Sequence, residues 1–376
     1  MNKDVPVSPR HEARQELFWS WMNQQVQAYT GWMLEQVLSS EQQELIGAGW
    51  NERLAGRSDW RNGFYHRRLL TPHGALRVKV PRCRHVGLDR SMLFDRYQRR
   101  VVDVDRILRH AYLLGVSTRG TAELAEQVFG GGLSHQTISR VMRWLDEQLS
   151  LWRQRPIKSA YKVVYIDGMH VDVVGQDRMV MLVAGQRDSG QLDVLGFCVS
   201  TGEQCRQLLA DLRCRGLENV ELFVSDDSAA IRSALEEVYP EVSRQSCTFH
   251  RLKTLRETVG PTDFREMMVA EAACLFRCPS KLAAVDAALA WAGRWRQRNA
   301  SAVEQFVSGL SDSLMFYQMP QRWWRRVRTN NPLERLIRTL RMRLDIMGCF
   351  HDAPAVERAV FGQLARWHKI KLTHNC

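Results

Sequence analysis

The sequence predicts a mixed α/β protein: a mostly helical N-terminal region with one small β element, then a βββαβαβα unit, then helices to the end. Three observations predict that class. Apolar residues recur at helical spacing through residues 10–48 and 104–149. After Pro156 three β-rich runs, KVVYIDGMHVDV, RMVMLVAGQRD and LDVLGFCVS, follow one another with only short turns between them. Beyond residue 201 amphipathic and strand-like segments alternate, which is the pattern of a sheet covered by helices.

Taken in order, residues 10–48 read as two helices, because they carry almost no turn residues. Between Arg57 and Arg84 eight Lys or Arg stand against the single acid Asp59. Inside that block Leu76, Val78 and Val80 alternate with Arg77 and Lys79, which on a strand separates an apolar face from a cationic one. The expectation is an antiparallel hairpin closed around Pro72 to Gly74, its cations contacting a polyanion backbone rather than forming an idle solvated face. STRGTAELAEQVFGGGLSHQTISRVMRWL has a helix-turn-helix outline: Ser117 or Thr118 opens one helix, Gly130 to Gly132 break it, and Ser134 caps the next. That second helix would expose His135, Gln136, Ser139, Arg140 and Arg143 and bury Ile138, Val141 and Leu145.

In the central unit EQCRQLLADLRCRG reads as a helix ended by Gly216, VELFVSD as the fourth strand and DSAAIRSALEEVY as a helix. RQSCTF is then a short strand and HRLKTLRETV a helix. Residues 261–328 read as helical throughout; their Trp291, Trp295, Trp323 and Trp324 are expected in the core, with stacking on an unpaired base as the alternative. A last strong helix begins with Asn331 as cap and Pro332 in the first helical position.

The 376 residues, 45% hydrophobic and 25% charged, give room for two or three domains with cores of their own and exclude fibrous and low-complexity classes. The net charge of +12 points to a polyanionic partner, with nucleic acid first. No apolar run approaches a membrane span and the N-terminal stretch lacks a signal-peptide core, so the expectation is a cytoplasmic, nucleoid-associated protein with no membrane contact. Nine Cys without a regular framework fit reduced thiols. There is no Walker-type phosphate loop, hence no nucleotide cofactor is expected.

Three acids carry the candidate chemistry. Asp167 is expected at the end of the first strand of the unit and Asp226 at the end of the fourth, so both carboxylates reach the crevice beyond neighbouring strand ends. Singly, each also fits a turn or helix cap, and Asp227 competes with Asp226. Glu334 shares a helix face with Arg338 and Arg341, about 100° around from the stripe Leu333, Ile337, Leu340 and Leu344. It also stands where a capping-box acid belongs, and spacing alone leaves cap and catalyst open. Cys247 and His250 have C-x-x-H spacing; Cys274 and Cys278 would complete a zinc set, but the expectation is that Cys247 packs and His250 orients a loop or a phosphate near the acids.

RNGFYHRRLLTPHGALRVKVPR, DRYQRRVVDVDRILRHAYLLGVSTR, YIDG, RGLENVELFVSDD, CTFH and TNNPLERLIRTLRMRLDIMGCF together resemble the Mutator-type transposases of bacterial insertion sequences, over about residues 50–365. Ser228, Ala229 and Ala230 stand where that family usually has a Gly, and His351 where it often has Pro. The resemblance implies a ribonuclease H-like catalytic core interrupted by an all-helical insertion. It also implies an acid triad, here Asp167, Asp226 and Glu334, holding two Mg²⁺ with Mn²⁺ as substitute. Strand transfer on double-stranded DNA, both transposon ends and target, through a circular intermediate and by a homodimer, is implied as well. Arg61, Arg67, Arg68, Arg77, Lys79, Gln136, Ser139, Arg140, Arg143, Arg338 and Arg341 are the expected DNA contacts. The expected organisation is a helical region 1–50, a basic β segment 51–100, a helix-turn-helix-like region 101–155, the first part of the core 156–260, the insertion 261–328 and the closing helices 329–376. The expected function is terminal-repeat binding, 3′-end nicking and strand transfer. The alternatives are a DNA-binding regulator without catalysis and a structure-specific metal-dependent nuclease.

Overall fold

A computed structural model describes residues 9–85, 91–93, 95, 97–200, 202–367, 370 and 372. Parts of the expected N-terminal region, basic segment and C-terminal stretch, residues 1–8, 86–90 and 373–376 among them, lie outside the described residues. The chain divides into two compact units, one running to Arg143 and one beginning at Trp144.

The first unit opens with one helix, α1 (Pro9–Ile46), where two were expected. Gly31 is the only breaker in the middle of this stretch, and a single interior Gly costs about 1 kcal/mol, too little to end a 38-residue helix. Strands β1 (Arg61–Thr71) and β2 (Gly74–Cys83) form the expected hairpin, with Thr71 opposite Gly74. Leu76, Val78 and Val80 pack with Leu38 of α1 and Leu69 of β1 into a small core. Helices α2 (Val102–Leu113), α3 (Thr118–Phe129) and α4 (His135–Met142) follow. Ser117 caps α3 through Gly120 N, Gly130 ends it in the left-handed region at φ 60°, and Ser134 caps α4 through Thr137 N. A turn at Arg143 ends α4, so Leu145 belongs to the next helix, α5 (Trp144–Gln154).

In the second unit α5 packs on α15 (Ala353–Trp367): Arg358 pairs with Asp146, Arg153 with Glu357, and Trp152 meets Phe361 and Phe197. Residues 144–154, grouped by sequence with the preceding helices, are therefore packed on the sheet unit instead. The sheet holds β3 (Val163–Val173), β4 (Gln176–Gln186), β5 (Leu192–Ser200), β6 (Leu222–Ser225) and β7 (Ser243–Ser246), in spatial order β5-β4-β3-β6-β7. The first three run antiparallel as a meander, and β6 and β7 add in parallel beside β3. Parallel neighbours need crossovers, which α6 (Gly202–Cys214) and α7 (Ala229–Val238) supply. They cover one face, burying Val164, Ile166, Met181, Val183 and Phe223.

Helix α8 (Thr248–Val259) leaves β7, and α9 (Arg265–Leu275), α10 (Lys281–Trp295), α11 (Ala300–Ser308), α12 (Leu310–Ser313) and α13 (Gln321–Val327) make up the helical stretch. Trp291, Trp295 and Trp323 are buried there; Trp291 donates to Met268 O and Trp295 to Glu271. Helix α14 (Asn331–Met347) then returns to β3. Both of its ends are tied to that strand, through Asn330 to Ile166 O and through Phe350 to Asp172 and Val174. Seventeen helical residues rise about 25 Å, and the stretch from Ile166 to Val173 spans about 23 Å, so the helix can be fastened at both ends of the same length of strand.

Candidate active site

Four chain segments are knotted together by hydrogen bonds at one level of the sheet. Cys247 N donates to Ser225 O at 2.8 Å, joining the start of α8 to the end of β6. Asn330 N donates to Cys247 Sγ at 3.3 Å, and Asn330 Nδ2 donates to Ile166 O at 3.1 Å, joining the start of α14 to both. Cys247 and Asn330 are completely buried. Every candidate for chemistry sits just past a member of this knot: Asp167 follows Ile166, Asp226 follows Ser225, His250 is in the first turn after Cys247, and Glu334 N bonds back to Asn330 O.

The sheet register adds direction. Asp167 is not at a strand end as expected; β3 runs on six residues to Val173, and Asp167 pairs with Leu182 of β4. What ends near it is β6, whose last pairing with β3 sets Tyr165 opposite Val224. Carried two residues further, that register sets Asp167 opposite Asp226. Alternation turns Asp167 away from the face buried by Val164, Ile166 and Phe223, and Asp226 stands one residue past the end of β6.

Burial pushes the Asp167 carboxyl up to about 7; a hydrogen bond from Gly168 N works the other way, the negative charges of Asp226 and Glu334 raise it further, and Arg341 lowers it. The three acids thus form one electrostatic group, countered by a cation from α14. Among the described residues no three His, Cys, Asp or Glu side chains close into a ready metal-ligand set. The carboxylates stand in Coulombic range rather than in coordination contact. They are hard oxygen donors carrying like charge, with one carboxyl buried, the donor class that divalent cations take.

The neighbours divide by partner. Asp227, the rival of Asp226, is held by Arg251 at 2.6 Å, by Ser246 Oγ and by Arg244 at 3.4 Å. Burial acts to raise its carboxyl, but these partners together hold it below the usual range. The Asp226 carboxylate instead accepts, among the described residues, a short-range bond from Ser228 N at 3.1 Å, and its backbone oxygen accepts from Ser225 Oγ. Glu334 is the fourth helical residue of α14, since the cap is Asn330 and not Asn331 as expected; the capping-box position falls on Leu333. Its Oε1 lies 3.8 Å from His250 Nε2, and His250 Nδ1 is buried without a hydrogen-bond partner.

The sequence is matched over residues 11–370 by the family model described as transposase, Mutator family. The chain belongs to that family. It is similar to the transposase for insertion sequence element ISRM5 of Rhizobium meliloti, 29% identical over 90% of this chain and 86% of the relative. It is similar also to that for IS406 of Burkholderia multivorans, 30% identical over 89% and 88%, and to that for IS1081 of Mycobacterium tuberculosis, 29% identical over 88% and 82%. Among solved structures, a chain of a simian T-cell lymphotropic virus intasome in complex with PP2A regulatory subunit B56 gamma aligns over 43% of this chain at 10% identity with a TM-score of 0.19, too slight a likeness to bear on the fold.

The basic residues of this transposase fall into distinct settings. His66, Arg68, Arg77 and Lys79 share the outer face of the hairpin, Arg68 opposite Arg77 and His66 opposite Lys79. Asp59, the acid of the block, is fully buried and accepts from Trp60 N and His85 N, so it leaves that face its charge. Arg67 has a different setting. It pairs with Val78 on the inner face, and its guanidinium donates to Asp95 O at 3.1 Å. The Nη atoms of Arg61 donate to Ala48 O and Gly49 O at 2.9 Å and tie the hairpin to the end of α1. Gln136 and Arg140 are exposed on α4 and Arg143 at its C-cap, with Ser139 half-buried. Arg338 and Arg341 are exposed on α14.

The Cys247 thiol is pushed up to about 11 by burial, against nearby backbone amides, which keeps it a neutral packing group. Cys274 is exposed, and the Cys278 thiol turns to Cys274 O. Sequence reasoning overlooked Asn330. Its signal was the doublet Asn330-Asn331 before Pro332, read as one cap when the first Asn is the buried clamp.

Proposed function

We propose that this chain is a DDE-type transposase that binds the terminal inverted repeats of its element, nicks their 3′ ends and joins the freed hydroxyl to another strand. In this reading the second unit is a ribonuclease H-like core with α9 to α13 inserted before its last acid. An antiparallel meander extended by two parallel strands supports that, as does membership in the Mutator family. The observation that carries the proposal is the hydrogen-bonded knot of Ile166, Ser225, Cys247 and Asn330, which gathers the segments bearing Asp167, Asp226 and Glu334, with the Asp167 carboxyl buried beside it.

Asp167, Asp226 and Glu334 are the residues that would hold Mg²⁺ or Mn²⁺, which when bound supplies activation of the attacking oxygen and stabilisation of the leaving one. The chain's own contribution is position. The knot through Cys247 and Asn330 fixes the acids on one face before DNA arrives, so little reorganisation is left for the reaction itself. His250 steadies the Glu334 carboxylate from α8. Arg341 offsets part of the like-charge repulsion at Asp167. The outer face of the hairpin would contact phosphates, and the exposed side chains of α4, as the second helix of a helix-turn-helix, would reach base edges.

The test is a labelled duplex carrying the element's terminal repeat, incubated with Mg²⁺. Wild type should give a 3′ nick and then a joined product. Asp167→Asn, Asp226→Asn and Glu334→Gln should each lose both while retaining a normal gel shift and circular dichroism spectrum. Cutting without joining would indicate a nuclease, and binding without cutting a regulator; either result would replace the proposal.

A further inference from the structure

The first half of α1 carries an apolar surface that the fold leaves uncovered. From Leu17 to Leu34 there are 18 consecutive residues with no charge, in a chain whose net charge is +12. Phe18, Trp21, Tyr29 and Trp32 are 49, 53, 63 and 52% exposed, and Leu17 and Met33 flank them at 72 and 45%. The helix packs on its hairpin through the opposite side: Gln27 donates to His73 O, and Leu34 and Leu38 enter the small core. At 100° per residue those three lie roughly 180–220° around from Gln25, whereas the four aromatics lie within about 40° of it.

Six of the seven large apolar residues exposed between Leu17 and Met33 are placed symmetrically about Gln25; the seventh, Trp19, lies about 120° around from it, against Phe18. Phe18 and Trp32 are seven residues to either side of it, Trp21 and Tyr29 four, and Leu17 and Met33 eight. On the helix surface Phe18 and Trp32 fall about 20° to either side of Gln25, and Trp21 and Tyr29 about 40°. The aromatics also come as two ring-contacting pairs, Phe18 with Trp21 at 6.1 Å and Tyr29 with Trp32 at 5.7 Å. A surface with this order is complementary to itself when turned over, which is what a two-fold interface demands.

We infer that α1 pairs antiparallel with α1 of a second copy of this chain, with the two-fold axis at Gln25. Phe18 then meets Trp32 of the other copy, and Trp21 meets its Tyr29. The absence of charge argues against the other obvious occupant: a polyanion calls for Lys or Arg, and this stretch has none. It also lets two strongly basic chains approach where neither presents a cation. No helix among the described residues is long and apolar enough to cross a membrane, and Asn23, Gln24 and Gln25 interrupt this one. At 150–250 Å² per aromatic side chain the exposed fractions of the four amount to roughly 430 Å² per copy; with Leu17 and Met33 the face reaches on the order of 600 Å² per copy and about 1,200 Å² for the pair, the lower edge of specific interfaces. The inference does not depend on the catalytic proposal and is measured without DNA.

The experiment is sedimentation of the full-length chain at micromolar concentration, combined with cysteine crosslinking. Wild type should sediment as a dimer, and Trp21→Glu with Trp32→Glu, both at exposed positions, should sediment as a monomer with an unchanged circular dichroism spectrum. In a background with Cys214, Cys274, Cys349 and Cys376 changed to Ser, Gln25→Cys should crosslink to its own copy under mild oxidation. Gln36→Cys should not, since antiparallel pairing holds the two copies of that residue about 33 Å apart. A monomeric wild type, a dimer that survives the double Glu variant, or equal crosslinking at positions 25 and 36 would overturn the inference.

Discussion

Asp167 shows how one residue's surroundings decide its chemistry. Unfolded, its carboxyl would release a proton near 3.8; in the native chain it holds that proton to about pH 7. The native state therefore binds more protons between those values, and stability falls as pH rises from about 4 through 7. The shift corresponds to roughly 4 kcal/mol of native-state cost for the ionised form. In metal-free protein Asp167→Asn should match wild type in thermal stability near pH 4 and exceed it at pH 8; equal melting temperatures at pH 8 would mean that the carboxyl is not held in this environment. Added Mg²⁺ should narrow the pH 8 gap by stabilising wild type alone. Asn330 is the second decisive residue. Asn330→Ala removes a buried clamp and leaves Ile166 O without its partner, for an expected loss of about 1–3 kcal/mol by urea unfolding. Cleavage should fall further than stability alone explains, because Glu334 follows from that clamp. A stable, fully active variant would dismiss Asn330 as a positioning residue.

At the scale of elements, period and capping were legible, and pairing was not. Strands β3 to β7 and helices α6 to α8 follow their sequence patterns closely, because apolar alternation and Gly or Ser punctuation act within a few residues. KVVYIDGMHVDV reads as one β run, yet Asp167 was expected at the strand end; pairing with β4 across a two-residue turn at Val174 and Gly175 carries β3 six residues past it. Arg67 and Arg68 look equivalent in sequence; a one-residue difference on a strand places them on opposite faces, and only the register says which. That difference is testable. Neutralising Arg77 and Lys79 together should weaken binding to terminal-repeat and random DNA alike and flatten the slope of log affinity against log salt by about 0.9 per lost phosphate contact. Arg67→Gln should leave the slope unchanged. Gln136→Ala with Arg140→Ala should chiefly shrink the ratio of specific to random binding, and an unchanged ratio would move base recognition away from α4.

In the whole molecule the site is assembled from β3, β6, α8 and α14, whose contributing residues are up to 167 positions apart in the chain, Asp167 to Glu334. Local pattern could propose each acid but not their company; it placed Asp226 ahead of Asp227 as the second acid, and in the structure Asp227 is engaged by Arg251, Arg244 and Ser246. The same long-range assembly makes the central claim directly measurable: the three acids are one cation site. Titration of the DNA-free protein with Mn²⁺ at pH 8, followed by electron paramagnetic resonance of the free ion, reads that site without substrate. Wild type should take up Mn²⁺, and Asp167→Asn, Asp226→Asn and Glu334→Gln should each weaken uptake at least tenfold, with Asp227→Asn close to wild type. Undiminished uptake by any of the three, or its loss in Asp227→Asn alone, would contradict the account.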